Sequence, residues 1–244
     1  MTNPIYAIGD IHGQHDELLR VLSLIKADGG PDAEIVFLGD YPDRGAATAA
    51  VIDTLIEGKA AGKSWHCIKG NHDRMFSWFL QDYPKHDAYL PIYMYWLHER
   101  VGGDTTLASY GVHVKETDRQ LDAHALALAA VPQSHVDFLN NLVLCHETDD
   151  LFFAHAGIRP GVALSDQVEQ DLLWIRKEFH QDTRDHGKLI VHGHTPVKEA
   201  THYGNRVNLD AGAGYGKPLA VAVFEGRECW ALTDQGRTEI TRQG

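Results

Sequence analysis

The sequence predicts an α/β fold in which consecutive parallel strands are connected by helices. The first observation is that short apolar segments alternate with segments whose apolar residues recur at helical spacing. The second is that three apolar segments lead to Asp10, Asp40 and Asn71, which are about 30 residues apart, the length of one strand–helix–strand unit. Parallel strands in such units end at one edge of the sheet, where α/β proteins bind their ligands.

The length and composition are those of a single globular domain. The chain has 244 residues, of which 43% are hydrophobic and 23% are charged, and one hydrophobic core commonly reaches this size. We therefore expect one domain over residues 1–244. No apolar run approaches the roughly 18 residues of a membrane helix, and the first residues lack the pattern of a signal peptide, so we expect a cytoplasmic location.

The charge of the chain bears on its partners. A net charge of −12 argues against binding to nucleic acid, which requires a basic surface. An anionic substrate is compatible with this charge, because arginines and bound cations reverse the potential inside one cleft. No partner in a membrane is expected either.

The first five elements alternate between strands and helices. Mainly apolar segments of four residues predict the strands, and apolar residues three or four positions apart predict the helices between them. In chain order they are a strand at 5–8, a helix at 16–27, a strand at 35–38, a helix around 51–56 and a strand at 65–68.

The segment from about Arg74 to Leu142 is rich in aromatic residues, and we predict that it forms a helical insertion beside the cleft. Four of its aromatic side chains leave two alternatives open. They line a pocket for an aromatic substrate group, or they belong to the core. These side chains are Tyr89, Tyr93, Tyr95 and Trp96.

Further strands are predicted in the second half of the chain. The apolar segments 151–154 and 189–191 each lead into a cluster that contains histidine. Three later segments, 206–210, 219–224 and 228–233, are separated by glycine-rich turns. We expect these three to add a second, largely antiparallel sheet.

The polar clusters that follow the strands together hold a set of metal-binding side chains. They are carboxylates, an amide and imidazoles, without any cysteine, and they outnumber the ligands of one tetrahedral zinc ion. Such a mixed oxygen and nitrogen set suits Mn²⁺, Fe or Zn²⁺ in a two-ion site. The six side chains are Asp10, His12, Asp40, Asn71, His155 and His194.

The ordered motifs GDIHG, GDxxDRG, GNHD, HAG and GHTP resemble those of the calcineurin-like metallophosphoesterases, specifically the PPP-type serine/threonine protein phosphatases in their bacterial form. The resemblance spans residues 9–216. It implies an α/β/β/α sandwich, with two mixed sheets flanked by helices and a helical insertion near the cleft. It also implies hydrolysis of a phosphoester by water that two metal ions activate.

The resemblance implies a role for each ligand. Asp10 and His12 would hold the first ion, and Asp40 would bridge both. Mn²⁺ is the ion implied first, with Fe, Zn²⁺, Ni²⁺ and Co²⁺ as alternatives. The ligands implied for the second ion are Asn71, His155 and His194.

Four more residues receive roles from the same resemblance. His72 would be the general acid that protonates the leaving oxygen, and Asp43 would orient it. Arg44 and Arg176 would bind the phosphate, which agrees with the planar, permanently charged fork of a guanidinium.

Three positions distinguish this chain within the resemblance. Pro42 replaces the usual aliphatic residue and removes a backbone N–H, which could move Asp43 and Arg44. Asp73 stands where many protein phosphatases have Glu. Pro196 occupies the place of a second histidine ligand found in phosphodiesterase-type relatives, and His192, before the glycine, is interpreted as a neighbour of the site.

We expect a phosphomonoesterase that acts on phosphorylated proteins or small phosphoesters. One alternative keeps the site and changes the bond, giving a diadenosine tetraphosphatase-like nucleotide pyrophosphohydrolase. Another is a non-catalytic, metal-bearing phosphate-binding module, against which the presence of both His72 and Asp43 argues.

Overall fold

The computed structural model describes residues 4–115, 118–240 and 242. The strands are β1 (Ile5–Ile8), β2 (Glu34–Phe37), β3 (Trp65–Cys67), β4 (Cys145–Glu147), β5 (Leu151–Ala154), β6 (Leu189–His192), β7 (Thr201–His202), β8 (Arg206–Asn208), β9 (Val221–Glu225), β10 (Glu228–Thr233) and β11 (Gly236–Glu239). The helices are α1 (His15–Gly29), α2 (Thr48–Ala60), α3 (Asn71–Phe79), α4 (Gly103–Ser109), α5 (Gln120–Ala130), α6 (Gln133–Asn140), α7 (Glu169–Trp174) and α8 (Lys177–His180).

The strands form two mixed sheets. The first has the order β11-β10-β9-β1-β2-β3, and the second has the order β4-β5-β6-β8-β7. In the first sheet β1, β2 and β3 are parallel, and in the second β5, β6 and β8 are parallel. Helices α1 and α2 make the connections between the parallel strands of the first sheet, as the 30-residue spacing predicts.

Alternating side chains on the strands separate the layers. Tyr6 and Ile8 of β1 pack in the cluster that contains α1 and α2, whereas Ala7 packs between the sheets. On β5, Phe153 also lies between the sheets, and Phe152 faces the cluster that contains α7 and α8. Because successive strand residues point to opposite faces, this pattern gives the layers helix, sheet, sheet, helix. The predicted α/β/β/α sandwich is confirmed.

The five strands that carry the polar clusters are divided between the two sheets, because β5 and β6 belong to the second. The prediction about the carboxyl-terminal strands is wrong. The carboxyl-terminal strands do not form a sheet of their own: β9 pairs antiparallel with β1, whereas β8 pairs parallel with β6. Hydrophobic alternation identifies strands, but the partner of a strand depends on which sheet edge the folded chain leaves open.

Residues 74–142 contain most of α3 and all of α4, α5 and α6, with a long segment between α3 and α4 that has no regular helix. The assignment of the chain to one domain stays a prediction. Among the described residues, no helix has the length and hydrophobicity needed to cross a bilayer.

Gly58 lies where α2 packs on the first sheet, and a substitution at this position tests that packing. A Cβ at this position would lie 2.0 Å from the Trp65 ring, which packs edge-on against Phe37. Alanine favours a helix by about 1 kcal/mol over glycine, but overpacking costs about 1–3 kcal/mol. We expect Gly58→Ala to lower the Tm in the presence of a chelator.

The control is the same change in a Trp65→Phe background, where the smaller ring leaves room for the added methyl group. There we expect Gly58→Ala to cost less than it does in the original chain. A higher Tm for the single variant Gly58→Ala would contradict this account of the packing.

Candidate metal centre

The six predicted ligand side chains lie together where loops from the two sheets meet. Asp10 and Asp40 follow strands of the first sheet, Asn71 begins α3, and His155 and His194 follow strands of the second sheet. None of the six, including His12, is more than 6% exposed. The fold therefore brings together residues that are up to 184 positions apart, as the contact between Asp10 and His194 shows.

The Asp40 carboxylate lies at the centre of this arrangement. Its Oδ2 is 3.6 Å from His12 Nε2, and its Oδ1 is 3.4 Å from His155 Nε2. The Oδ1 also accepts a 2.9 Å hydrogen bond from the His72 backbone N–H, in the first turn of α3. Each oxygen thus faces a different group of imidazoles, one with His12 and His72 and one with His155 and His194.

The second group directs several lone pairs at one point. His155 Nδ1 donates to the Leu38 carbonyl at 2.9 Å, so its Nε2 carries a lone pair. That lone pair faces Asn71 Oδ1 at 2.9 Å and His194 Nδ1 at 3.2 Å. His155 Nε2 and Asn71 Oδ1 face each other as two acceptors, which fits a cation, and oxygen and nitrogen are ligand atoms that first-row metals prefer. His194 Nδ1 carries the ring proton in this form, because Nε2 of the same ring accepts from Arg176, so metal binding through Nδ1 requires its other neutral tautomer.

A backbone carbonyl also orients His12. Its Nδ1 donates to the Pro42 carbonyl at 2.9 Å, which leaves the Nε2 lone pair directed toward Asp40. Proline keeps its carbonyl, so Pro42 retains the bond that fixes the ring of His12. The backbone N–H of the next residue, Asp43, donates to Thr106 Oγ1 at 2.7 Å.

The Asp10 carboxylate belongs to neither group of converging atoms. Its two oxygens accept the His194 backbone N–H at 3.2 and 3.0 Å. A Cβ on Gly193 would lie 2.0 Å from Asp10 Oδ1, so only glycine allows this close approach. The glycine of the predicted motif therefore has a steric role in the site.

The charges of the site also fit bound cations. Burial, together with the carboxylates of Asp210 and Asp40, raises the pKa of Asp10 well above its ordinary value. Burial raises the pKa of Asp210 to about 6, with Asp40 adding to the effect. These shifts express the cost of crowded buried carboxylates, and a cation would relieve that cost.

The imidazoles are held in the form that binds metals. Burial and nearby cationic groups lower the pKa of His12, His155 and His194, so they are neutral near neutral pH. Burial of Asp40 opposes its ionisation, but the pKa of this carboxyl still lies below the ordinary value, because the histidine side chains around it favour its ionised form. Neutral imidazoles and an ionised carboxylate are the protonation states that metal binding requires.

His72 and Asp43 form a buried pair beside these groups. His72 Nδ1 donates to Asp43 Oδ2 at 2.6 Å. The same carboxylate accepts from Trp96 Nε1 at 2.9 Å and from Thr106 Oγ1 at 2.7 Å. Sequence reasoning missed Trp96 and Thr106 as partners of Asp43, because they lie in the segment between the motifs and no local pattern marks them.

The two predicted phosphate-binding arginines lie at the opening of the site. Arg44 Nη1 donates to His12 Nε2 at 2.7 Å and its Nη2 to His72 Nε2 at 3.2 Å. Arg176 Nε donates to His194 Nε2 at 3.0 Å. The guanidinium of Arg44 also lies 4.8 Å from the centre of the Tyr215 ring.

Both arginines line a cleft of about 190 Å³ together with Asp40, Asn71, His72 and His194. The aromatic walls of the cleft are Trp174 and Tyr215, which sequence reasoning did not identify. The aromatic residues of the insertion divide differently: Trp96 is buried, as the core alternative predicts, whereas Tyr89 and Tyr93 are 52% and 73% exposed. Those two tyrosines fit neither alternative, since neither lines the cleft.

Asp73 supports the loop that carries Asp40. Its carboxylate accepts the backbone N–H groups of Asp40, Tyr41 and Gly70 at 2.7–3.0 Å. Aspartate at this position is therefore long enough to join the loop after β2 to the start of α3. His192, by contrast, is buried and accepts from Arg206 Nη1 at 3.1 Å, outside both groups of converging atoms.

Strained backbone is concentrated at the site. In the described part of the chain, five residues other than glycine have φ between 48° and 74°. The left-handed conformation of each such residue destabilises the folded chain by about 1–2 kcal/mol. Backbone strain of this kind clusters at functional sites. All five are predicted site residues: His12, Asp40, Asp43, Arg44 and His194.

Comparison with known proteins agrees with this geometry. Over 236 residues the chain is 31% identical to the asymmetrical bis(5'-nucleosyl)-tetraphosphatase PrpE of Anoxybacillus flavithermus. The aligned region covers 87% of this chain and 86% of that protein. The chain is 29% identical over 173 residues to the serine/threonine-protein phosphatase PP2A-like PPG1 of Saccharomyces cerevisiae, over 69% of this chain and 37% of that protein.

The fold is shared with solved structures. The cold-active protein-tyrosine phosphatase of a Shewanella species superposes with a TM-score of 0.63 at 17% identity, over 99% of this chain and 81% of that chain. The model of the calcineurin-like phosphoesterase family matches residues 3–222. The chain therefore belongs to the calcineurin-like phosphoesterases, a family of metal-dependent hydrolases.

Proposed function

We propose that this chain hydrolyses phosphate monoesters, with a phosphorylated protein or a small phosphoester as its substrate. The observation that carries the proposal is the small cleft that His72, Arg44 and Arg176 all line. Its volume of about 190 Å³ is below the roughly 300–1,000 Å³ of clefts that enclose drug-sized ligands. The cleft has room for one phosphoryl group and part of its leaving group.

The proposed ligands divide around Asp40, whose two oxygens face different imidazole groups. Asp10 and His12 would complete the first metal site. When bound, two divalent ions such as Mn²⁺ would supply positive charge for the phosphoryl oxygens and lower the pKa of a water. The second site would comprise Asn71, His155 and His194, whose ligand atoms converge with Asp40 Oδ1.

His72 is the proposed proton donor to the leaving oxygen. Its Nδ1–H is held by Asp43, and an imidazolium paired with a buried carboxylate is a competent acid near neutral pH. Its Nε2 is directed at the cleft, where it accepts from Arg44. A substrate phosphate would compete for the Arg44 fork and leave Nε2 available to the leaving group.

Arg44 and Arg176 are the proposed phosphate-binding groups. Each now donates to a histidine nitrogen that lines the site, so each guanidinium is already positioned where an anionic oxygen would accept. Guanidinium groups bind two phosphate oxygens at once. The net charge of −12 does not prevent this, because the local charge of the cleft is set by these cations.

A second candidate function is hydrolysis of a dinucleoside tetraphosphate. The observation in its favour is the likeness to the Anoxybacillus tetraphosphatase, which extends over 87% of this chain and 86% of that protein. Arg100 also lines the cleft and would be available to a second phosphate of such a substrate. The volume of the cleft favours the monoester.

We expect the two substrate classes to differ with Mn²⁺ present. The kcat/KM for p-nitrophenyl phosphate or a phosphopeptide should exceed that for diadenosine tetraphosphate by at least about tenfold, a barrier difference of about 1.4 kcal/mol. Phosphate release measures the first reaction, and chromatography of the nucleotide products, either ADP or ATP together with AMP, measures the second. A preference for the dinucleotide would establish the second candidate instead.

His72→Asn should separate proton donation from metal binding. We expect kcat on a phosphoserine peptide to fall about 10²–10⁴-fold, with a smaller loss on p-nitrophenyl phosphate, because p-nitrophenolate leaves without a proton. Metal content should be unchanged. The control Asp40→Asn should lose bound metal. If His72→Asn lost the same factor of activity on both substrates, that result would contradict the role of His72.

Trp96 is a proposed positioning residue that acts through Asp43. Trp96→Phe keeps a ring stacked on Phe76 at 5.1 Å and removes only the indole N–H. A hydrogen bond to a charged group contributes about 1.5 kcal/mol or more, so we expect kcat to fall about tenfold with KM unchanged.

The loss for Trp96→Phe should again be larger for phosphoserine than for p-nitrophenyl phosphate. The matched control is Trp78→Phe, since Trp78 stacks against Arg74 and lies outside the cleft. A uniform loss on both substrates, or equal behaviour of the two variants, would show that Trp96 has only a structural role.

A further inference from the structure

A second cluster of metal-binding side chains lies away from the cleft. It comprises Glu34 at the start of β2, His66 in β3 and His146 in β4. Glu34 is six residues before Asp40, at the opposite end of β2 from the loop that carries Asp40. All three side chains are partly exposed, so the cluster lies at the surface of the protein.

The distances among these side chains suit one small cation. Glu34 Oε1 lies 3.1 Å from His66 Nε2 and 3.6 Å from His146 Nε2. All three ligand atoms lie within 4.8 Å of one another. A tetrahedron with metal–ligand bonds of about 2.0–2.1 Å has edges of about 3.3–3.4 Å, which falls between the two measured distances.

One atom of the cluster lacks a partner. His146 Nε2 is buried and has no hydrogen-bond partner in the described part of the chain. An unpaired nitrogen that faces a carboxylate oxygen at 3.6 Å gains from a cation placed between them.

The two imidazoles are already side by side. Their ring centres are 3.8 Å apart with an angle of 20° between the planes. In this form His66 Nε2–H donates to Glu34 at 3.1 Å. Metal binding requires the other neutral tautomer of His66, with the proton on Nδ1, and a tilt of the stacked rings toward a shared ion.

We propose that Glu34, His66 and His146 form a separate metal site, independent of the metal centre in the cleft. This site would select Zn²⁺ and similar borderline cations. Two imidazoles and one carboxylate are a common zinc ligand set, with water as the fourth ligand. The site joins β2 and β3 of the first sheet to β4 of the second. A bound ion therefore connects the two sheets on the side away from the cleft.

Zinc bound per chain, measured by elemental analysis after equilibration with buffered Zn²⁺, tests the site. We expect His146→Ala to bind one equivalent less than the original chain, with Mn²⁺-dependent phosphatase activity unchanged. The matched control is His113→Ala, which removes an exposed histidine outside the cluster. Equal zinc content in the two variants would overturn the proposal.

Two further variants make the result specific. Glu34→Gln keeps the shape of the side chain, and we expect it to weaken zinc binding by about tenfold or more. In an Asp40→Asn background, one zinc should remain and should be lost on adding His146→Ala. This readout needs no activity, so it is independent of the proposed phosphatase function, and absence of the remaining zinc would overturn the site.

Discussion

The Asp73 carboxylate is the constraint on which the rest of the site depends. It accepts backbone N–H groups from Asp40, Tyr41 and Gly70, and so connects the loop after β2 to the first turn of α3. A Cβ on Gly70 would lie 2.1 Å from Asp40 Oδ1, so the two segments approach as closely as their backbones allow. This contact places Asp40 beside Asn71 and His72.

Contacts of this kind explain how the strained backbone persists. Five left-handed residues at about 1–2 kcal/mol each amount to on the order of 5–10 kcal/mol, comparable to the net stability of a domain. Strain of that size is retained only where surrounding bonds over-determine the geometry. Asp73 holds Asp40, the Asp10 carboxylate holds the His194 backbone, and Thr106 holds Asp43.

The site is divided between the sheets, and the insertion completes it. The first sheet supplies the loops of Asp10 and Asp40, and the second supplies His155 and His194. Neither sheet alone supplies enough metal ligands for two ions. The insertion adds Trp96 and Thr106, which hold the carboxylate that orients His72, so packing of the insertion on α3 is coupled to the proposed proton donor.

The sequence by itself determined the local chemistry of this protein. Apolar strands ending in polar motifs identified the α/β class and the polar side chains that gather around Asp40, although not the aromatic walls of the cleft, because strand ends and their loops are encoded within a few neighbouring positions. It did not determine that β9 pairs with β1, that β5 belongs to the second sheet, or that Trp96 donates to Asp43. Those are contacts between distant segments, and only the tertiary structure decided them, since they depend on which edges and surfaces the folded layers leave available.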